Sequence, residues 1–207
     1  MLRQTRTLWP YFIGVVVLAA VVVYGAISFR AAETVTQVER IPLDPPGRSI
    51  AATHGDRAVV MVHGRGRNRV NSDFMEAAIA KILLAHGYSV LLFDLRGHGE
   101  SGGTRYTLGL EEPRDILAAI DLAAAKAHID RARVAIIGES LGGGSTLMTV
   151  KADPSIGPVV TDSAFADANI VVSESATKYT NLPSWFTPGI VLISRLFLGL
   201  DISQVTP

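Results

Sequence analysis

The pentapeptide at residues 138–142, Gly-Glu-Ser-Leu-Gly, constrains this chain more than any other segment. The apolar and mostly β-branched residues before it predict a buried strand, and the residues after it predict a helix. A serine at a sharp turn from strand to helix must adopt a strained backbone conformation. Small residues at Gly138 and Gly142 let the strand and the helix approach each other closely enough for this turn. The pattern therefore predicts a nucleophile elbow with Ser140 as the nucleophile; a serine that caps the following helix is the alternative.

Strands and helices are predicted to alternate on both sides of this turn. Two helices are predicted to have an apolar inward face. One face consists of Ile116, Ala119, Ile120 and Ala123, and the other consists of Phe74, Ala78, Ile82 and Ala85. Alternation of this kind favours an α/β fold, with a mostly parallel sheet covered by helices on both faces. The predicted strands are 35–41, 58–62, 88–93, 133–137 and 157–161, and the predicted helices are 72–86, 111–127 and 141–150.

The N-terminal segment has the composition of a transmembrane helix. No charged residue occurs from Trp9 to Phe29, and about 20 apolar residues suffice to cross a bilayer. Arg3 and Arg6 precede the apolar stretch, which predicts a cytoplasmic N-terminus and a domain on the opposite side of the membrane. The alternative is a secreted protein whose signal peptide is cleaved near the small residues at 26–28.

These observations predict two parts of the chain. Residues 1–30 form a membrane anchor, and residues 31–207 form the α/β domain. Within this domain the apolar segment 167–200 is a candidate lid or cap. A membrane-facing surface or an ordinary core helix would have the same composition.

Glycine-containing loops follow three of the predicted strands. The carboxyl ends of parallel strands share one edge of a sheet, and ligands bind at that edge. The loop that contains Gly64 follows the strand at 58–62. A loop at this place donates one backbone N–H to an oxyanion hole, and the residue after the nucleophile donates the other. The predicted donors are therefore the N–H groups of Arg65 and Leu141.

The sequence is less informative about a catalytic acid and base. Asp162 follows a predicted strand and could orient a histidine, although a cap of the following turn is the favoured interpretation. None of the five histidines stands in a context that predicts a general base.

Composition and motifs exclude several other classes of function. The chain has no cysteine and no net formal charge, which excludes thiolate metal sites and gives no indication of a nucleic-acid partner. Residues 138–145 nearly fit a phosphate-binding loop, but Gly144 replaces the lysine that such a loop requires. No metal and no organic cofactor is predicted.

Together these segments resemble the α/β-hydrolase superfamily. Within it they are similar to the membrane-anchored bacterial members related to the serine aminopeptidase-like, or monoacylglycerol lipase-like, hydrolases. The resemblance implies hydrolysis of an ester, thioester or amide through an acyl-enzyme on Ser140. The substrate would be a small or lipid-like molecule, as the apolar residues from Trp185 to Leu198 also indicate. The matching segments are 62–64, 93–101, 138–143 and 161–165.

Family members use a serine, an acid and a histidine in that chain order. No segment after Asp201 matches the expected acid and histidine, and no histidine follows His128. The favoured interpretation is a fragment of an active hydrolase, itself inactive for lack of these two residues. The alternative is a membrane-anchored pseudo-hydrolase that serves as a binding or scaffold module.

Overall fold

A computed structural model of the protein describes residues 9–37, 50–51, 55–70 and 76–207. The strands in these ranges are β1 (Ile50–Ala51), β2 (Ala58–Val62), β3 (Ser89–Phe93), β4 (Val134–Glu139) and β5 (Val159–Asp162). They form one sheet in the order β1-β3-β2-β4-β5. β1 pairs with β3 in antiparallel orientation, and the other neighbouring pairs are parallel.

Helices pack on both faces of this sheet, which confirms the predicted α/β fold. Residues of β2 face the two sides alternately, with Val60 and Val62 in the larger core and Val59 and Met61 in the smaller one. The helices are α1 (Trp9–Thr36), α2 (Glu76–Ala85), α3 (Glu112–Ala127), α4 (Leu141–Ala152), α5 (Ala168–Thr180) and α6 (Thr187–Phe197).

The register of the two central strands positions the candidate site. Val62 of β2 lies opposite Gly138 of β4, so the loops that follow these strands leave the sheet side by side. They do so at the carboxyl edge, where ligands bind in sheets of this type.

The predicted inward face of α3 is confirmed, whereas that of α2 is wrong. All four apolar residues predicted to face inward on α3 are buried. On α2, Ala80 is buried, Ala78 and Ala85 are exposed, and Ile82 is 60% exposed. The reason lies in the composition of α2, because Lys81 is its only polar residue after Glu76. Such a helix has no polar face to set its rotation. The predicted helix start at residues 72–75, with Phe74, lies outside the described residues.

α1 extends further than the sequence indicated. A strand was expected at residues 35–41, but Val35 and Thr36 are the last residues of α1, and residues 38–41 lie outside the described part. Ala31, Ala32, Val35 and Thr36 are buried against the domain, and this packing outweighs the weak helix propensity of β-branched residues. The Tyr106 hydroxyl donates to the Val35 carbonyl oxygen at 2.7 Å. The boundary expected at residue 30 stays a prediction.

The first half of α1 has a different environment. Its apolar side chains from Ile13 to Val23 are largely exposed. Residues Ile13–Thr36 are long enough to cross a membrane, and an 18-residue window within them has a mean hydropathy of 2.2. The helix could therefore be a membrane anchor or a signal sequence.

Residues 167–200 form α5, a short 3-10 turn at Ser184–Phe186, and α6. The Asp167 carboxylate caps α5 by accepting a hydrogen bond from the Asn169 N–H at 2.7 Å. α6 is buried on one side, at Ile190 and Ser194, and exposes apolar side chains on the other. This segment thus combines core residues with an apolar surface.

Candidate active site

Ser140 joins β4 to α4 in a strained conformation, with φ 50° and ψ −111°. Positive φ is uncommon for residues other than glycine, and such strain costs about 1–3 kcal/mol. The Ser140 N–H donates to the Asp162 carbonyl oxygen at 2.9 Å, which ties the turn to the end of β5. The Ser140 hydroxyl makes no capping hydrogen bond with α4. The turn therefore has the geometry that a nucleophile elbow requires.

Glycines let the backbone segments at this turn pack very closely. A Cβ atom at Gly142 would lie 2.2 Å from the Val62 carbonyl oxygen, and one at Gly138 would lie 2.7 Å from the Gly142 carbonyl oxygen. A Cβ atom at Gly144 would lie 2.2 Å from the Phe165 ring. Side chains at these positions would push α4 away from the sheet, so the glycines are required for steric reasons.

The loop after β2 carries the first predicted oxyanion donor. Among the described residues, no hydrogen-bond acceptor is found for the Arg65 N–H. The second predicted donor, the N–H of Leu141, belongs to the first residue of α4, where backbone N–H groups have no partner within the helix. Both residues line the same cleft as Ser140. Free backbone donors in a cleft can stabilise an oxyanion that forms there.

The carboxyl group of Glu139 holds this loop close to the elbow. The Gly64 N–H favours the charged form of this carboxyl group and so lowers its pKa, and a Cβ atom at Gly64 would lie 2.1 Å from Glu139 Oε2. Gly64 is thus needed for the approach of this side chain. Burial raises the pKa of Glu139, and Arg67 opposes the rise.

Two buried histidines join the loops after β2 and β3. His63 Nε2 accepts from the Leu95 N–H at 3.0 Å, and its Nδ1 donates to the Gly64 carbonyl oxygen at 2.8 Å. His98 Nε2 accepts from the Gly66 N–H at 3.2 Å, and its Nδ1 donates to the Arg96 carbonyl oxygen at 2.9 Å. Each ring uses one nitrogen as acceptor and the other as donor, so both histidines are neutral.

The pKa values agree with this bonding pattern. Burial lowers the pKa of His63 to about 4 and also lowers the pKa of His98. Both histidines therefore hold the loops in place.

Asp94 anchors the base of the loop after β3. Its buried carboxylate accepts from the Arg69 N–H at 2.8 Å and from the Glu100 N–H at 3.0 Å, and it forms an ion pair with the Arg69 guanidinium. A Cβ atom at Gly99 would lie 2.3 Å from this carboxylate. This loop is a compact support beside the cleft.

The cleft that contains Ser140 has a volume of about 380 Å³. Arg65 lines this cleft, and its guanidinium lies over two aromatic rings, 4.3 Å from the Tyr179 centroid and 5.3 Å from the Tyr106 centroid. Burial raises the pKa of Tyr106, so its hydroxyl remains protonated at neutral pH. The cleft thus combines a serine, a cation and apolar surface; its other lining residues include Leu108, Leu141, Ser163, Phe165, Glu174 and Lys178.

Asp162 is exposed, and its Oδ1 accepts a hydrogen bond from the Ser163 hydroxyl at 2.8 Å. The cap of the next helix is Asp167, not Asp162. The described histidines are His63, His86, His98 and His128, and none of them lines the cleft.

Sequence reasoning missed part of this site. Glu139 lies inside the serine pentapeptide, and its position next to Ser140 could have indicated a supporting role. Nothing in the sequence indicated Tyr106 and Tyr179, because each belongs to a segment that is distant from Ser140 along the chain and meets the cleft only in the folded domain. Within the described ranges, no cluster of three or more potential metal ligands is present.

Comparison with known proteins assigns the chain to a family. Residues 59–202 match the model of the alpha/beta hydrolase family. The quorum-quenching protein AidA of Acinetobacter baumannii is 37% identical over 111 residues, which cover 53% of this chain and 36% of AidA. The uncharacterized protein YqkD of Bacillus subtilis is 28% identical over 167 residues, which cover 79% of this chain and 53% of YqkD.

The chain therefore spans about half of the length of these curated relatives or less. Among solved structures, the esterase Pf2001 of Pyrococcus furiosus superimposes with a TM-score of 0.54 at 23% identity, over 73% of this chain and 62% of the esterase chain. This likeness concerns the fold. Because the family match covers more than half of its residues, the chain belongs to the alpha/beta hydrolase family.

Proposed function

We propose that the protein is a serine hydrolase in which Ser140 attacks the carbonyl carbon of an ester, thioester or amide. The observation that carries this proposal is the backbone of Ser140, which combines positive φ with a hydroxyl free of helix-capping bonds. Strain of this kind persists where the surrounding structure enforces it, and it is concentrated at functional sites. The cleft beside Ser140 supplies room for a small or lipid-like substrate.

The reaction proceeds in two stages. The Ser140 oxygen bonds to the carbonyl carbon as its proton passes to a base, and the carbonyl oxygen becomes an oxyanion held by the N–H groups of Arg65 and Leu141. The leaving group departs with a proton and leaves an acyl-enzyme. Water then attacks the acyl group, which releases the acid and restores the serine. Loss of one such oxyanion donor typically costs about 10²–10³ in rate.

We assign the general base to a histidine outside these 207 residues. Two observations support this assignment. The described histidines do not line the cleft, and the chain spans only part of the length of its relatives. The chain on its own is then expected to be inactive. Asp162 stays a candidate acid, because it follows a strand at the carboxyl edge.

We further propose that α1 is an uncleaved membrane anchor, as in the aminopeptidase-like, membrane-anchored hydrolases that the motifs resemble. Cleavage at residues 26–28 would cut α1 inside the half that packs on the domain. Ser28 is fully buried there, and Tyr24 stacks on Phe186 with ring centroids 4.9 Å apart. Arg3 and Arg6 support a cytoplasmic N-terminus and a domain outside the membrane.

A fluorophosphonate probe on the full-length gene product tests the catalytic proposal. Wild type should be labelled, and Ser140→Ala should not. Ser163→Ala is the matched control, because Ser163 lines the same cleft and also has positive φ; this variant should retain labelling. A well-folded full-length protein that the probe does not label would instead favour the non-catalytic binding module.

A further inference from the structure

An apolar surface flanks the point where α1 meets the domain. We define the apolar rim as the exposed side chains of Trp185, Leu192, Leu196 and Phe197. We infer that this rim lies within the surface of the lipid bilayer that α1 crosses, so that the hydrolase domain is partly sunk into the membrane. The inference rests on the anchoring proposed above and adds a lipid-binding surface to it.

The first observation is that the apolar half of α1 continues directly, as one helix, into the half that packs on the domain. The Tyr24 ring stacks on Trp185 and Phe186, with centroids 6.0 and 4.9 Å apart. The Phe29 ring meets the Phe197 ring edge-on at 6.2 Å. Since α1 is one continuous helix, these contacts fix the domain relative to the apolar half of the helix.

The second observation is that the uncharged residues before Tyr24, the first residue of α1 with a ring contact to the domain, are too few to cross the bilayer. Arg6 is the last charged residue before the apolar stretch, so residues 7–23 are the uncharged residues that precede Tyr24. Even as a complete α-helix they would cover only about 26 Å. The hydrocarbon core is about 30 Å thick and needs about 20 residues.

The missing length must come from residues that already pack on the domain. If the core begins after Arg6, it ends near Ala26, two residues beyond Tyr24. Trp185 contacts Tyr24 and therefore lies at that depth. Phe197, which contacts Phe29, then lies in the interface just outside the core.

The third observation is that the rim has the composition such a position requires. Its four side chains are between 55% and 67% exposed. The ring contacts place two of these side chains, Trp185 and Phe197, directly beside α1. Aromatic rings favour the membrane interface, and amphipathic elements at that interface sink about 5–10 Å into it. Phospholipid is therefore the occupant that the structure assigns to the rim.

Site-specific labelling tests this inference directly, because residues 1–207 contain no cysteine. The full-length protein, with any cysteine outside this range replaced by serine, is reconstituted in phosphatidylcholine vesicles. An environment-sensitive fluorophore is attached at Phe197→Cys. Ile82→Cys on α2 is the matched control, because Ile82 is 60% exposed and Phe197 is 67% exposed. Val17→Cys in α1 is the positive control.

The label at position 197 should show blue-shifted emission and should lose intensity when the vesicles contain lipids with a nitroxide at the headgroup end of the acyl chain. The label at position 17 should behave in the same way with the nitroxide deeper in the chain, and the label at position 82 should not with either lipid. Leu196→Cys repeats the measurement without removing the contact between Phe29 and Phe197.

Other outcomes overturn the inference. Labels at 196 and 197 that behave like the label at 82 would place the rim in water. Blue-shifted labels that nitroxide lipid does not quench would show that protein covers the rim, either a second copy or another part of the full-length chain. Failure of quenching at position 17 would refute the anchoring itself. Labelling of Ser140 by the activity probe is a separate readout, so the catalytic proposal is judged independently.

Discussion

The substitution Gly142→Ala tests whether close packing of α4 shapes the elbow. A Cβ atom there would lie 2.2 Å from the Val62 carbonyl oxygen and 2.6 Å from the His63 carbonyl oxygen. Both oxygens belong to the backbone at the end of a buried strand and cannot rotate away. Because ordinary contact begins near 3.4 Å, α4 must move by about 1 Å relative to β2.

Two consequences follow from this displacement. Overpacking of a well-packed interior costs about 1–3 kcal/mol, and each kcal/mol lowers the Tm of a domain of this size by about 2–4 °C. The movement also displaces Ser140 and the Leu141 N–H. A misplacement of about 1 Å at reacting groups can reduce a rate by about 100-fold.

The assay compares thermal unfolding in detergent and the rate of fluorophosphonate labelling for full-length variants. Gly142→Ala should lose both stability and labelling rate. Gly102→Ala is the matched control and should match wild type, since a Cβ atom at Gly102 has no neighbour within 4 Å and its φ is not positive. A Gly142→Ala protein with the Tm and labelling rate of wild type would refute the steric account of the elbow.

Three further substitutions test separate parts of the structure. Burial lowers the pKa of His63 from 6.5 to about 4, so the unfolded chain gains a proton before the folded chain as the pH falls through this window. The free energy of unfolding should therefore drop by about 3 kcal/mol between pH 7 and pH 4. In urea titrations at these two pH values, His63→Gln should lack this part of the pH dependence. Glu139→Ala should slow probe labelling by about 100-fold, because the loop at Gly64 loses the side chain that packs against it. Glu139→Gln keeps the size and shape of that side chain and should restore most of the rate; equal rates in both variants would refute a positioning role. A Cβ atom at Gly189 would lie 2.5 Å from the Tyr24 ring, so Gly189→Leu should release α1 from the domain. If the docking of α1 loses about 1–2 kcal/mol, tryptic cleavage of this helix should become about 5- to 30-fold faster. Unchanged cleavage would contradict the docking.

Local patterns were sufficient to predict the four parallel strands and the sharp turn at Ser140. Buried strands have continuous apolar runs, and the glycines around Ser140 reflect contacts between segments that are close in the chain or adjacent in the sheet. The position of the loop at Gly64 followed from the topology, because parallel strands present their carboxyl ends at one edge. The roles of Ser140, Arg65 and Leu141 stay predictions.

Features that depend on distant segments could not be predicted. Tyr24 and Trp185, which are 161 positions apart, meet only after the whole domain has folded. The continuation of α1 through Thr36 depends on such contacts. Tyr179 reaches Arg65 because α5 passes over the cleft, and the rotation of α2 is set by the sheet surface rather than by its own nearly uniform sequence.

The most direct test of the central claim is a crystal structure of the full-length protein after reaction with a phosphonate probe. The account predicts a covalent bond to Ser140 Oγ, with the phosphonyl oxygen about 2.7–3.1 Å from the backbone nitrogen atoms of Arg65 and Leu141. An adduct on another residue, or a phosphonyl oxygen that contacts neither of these nitrogen atoms, would contradict it.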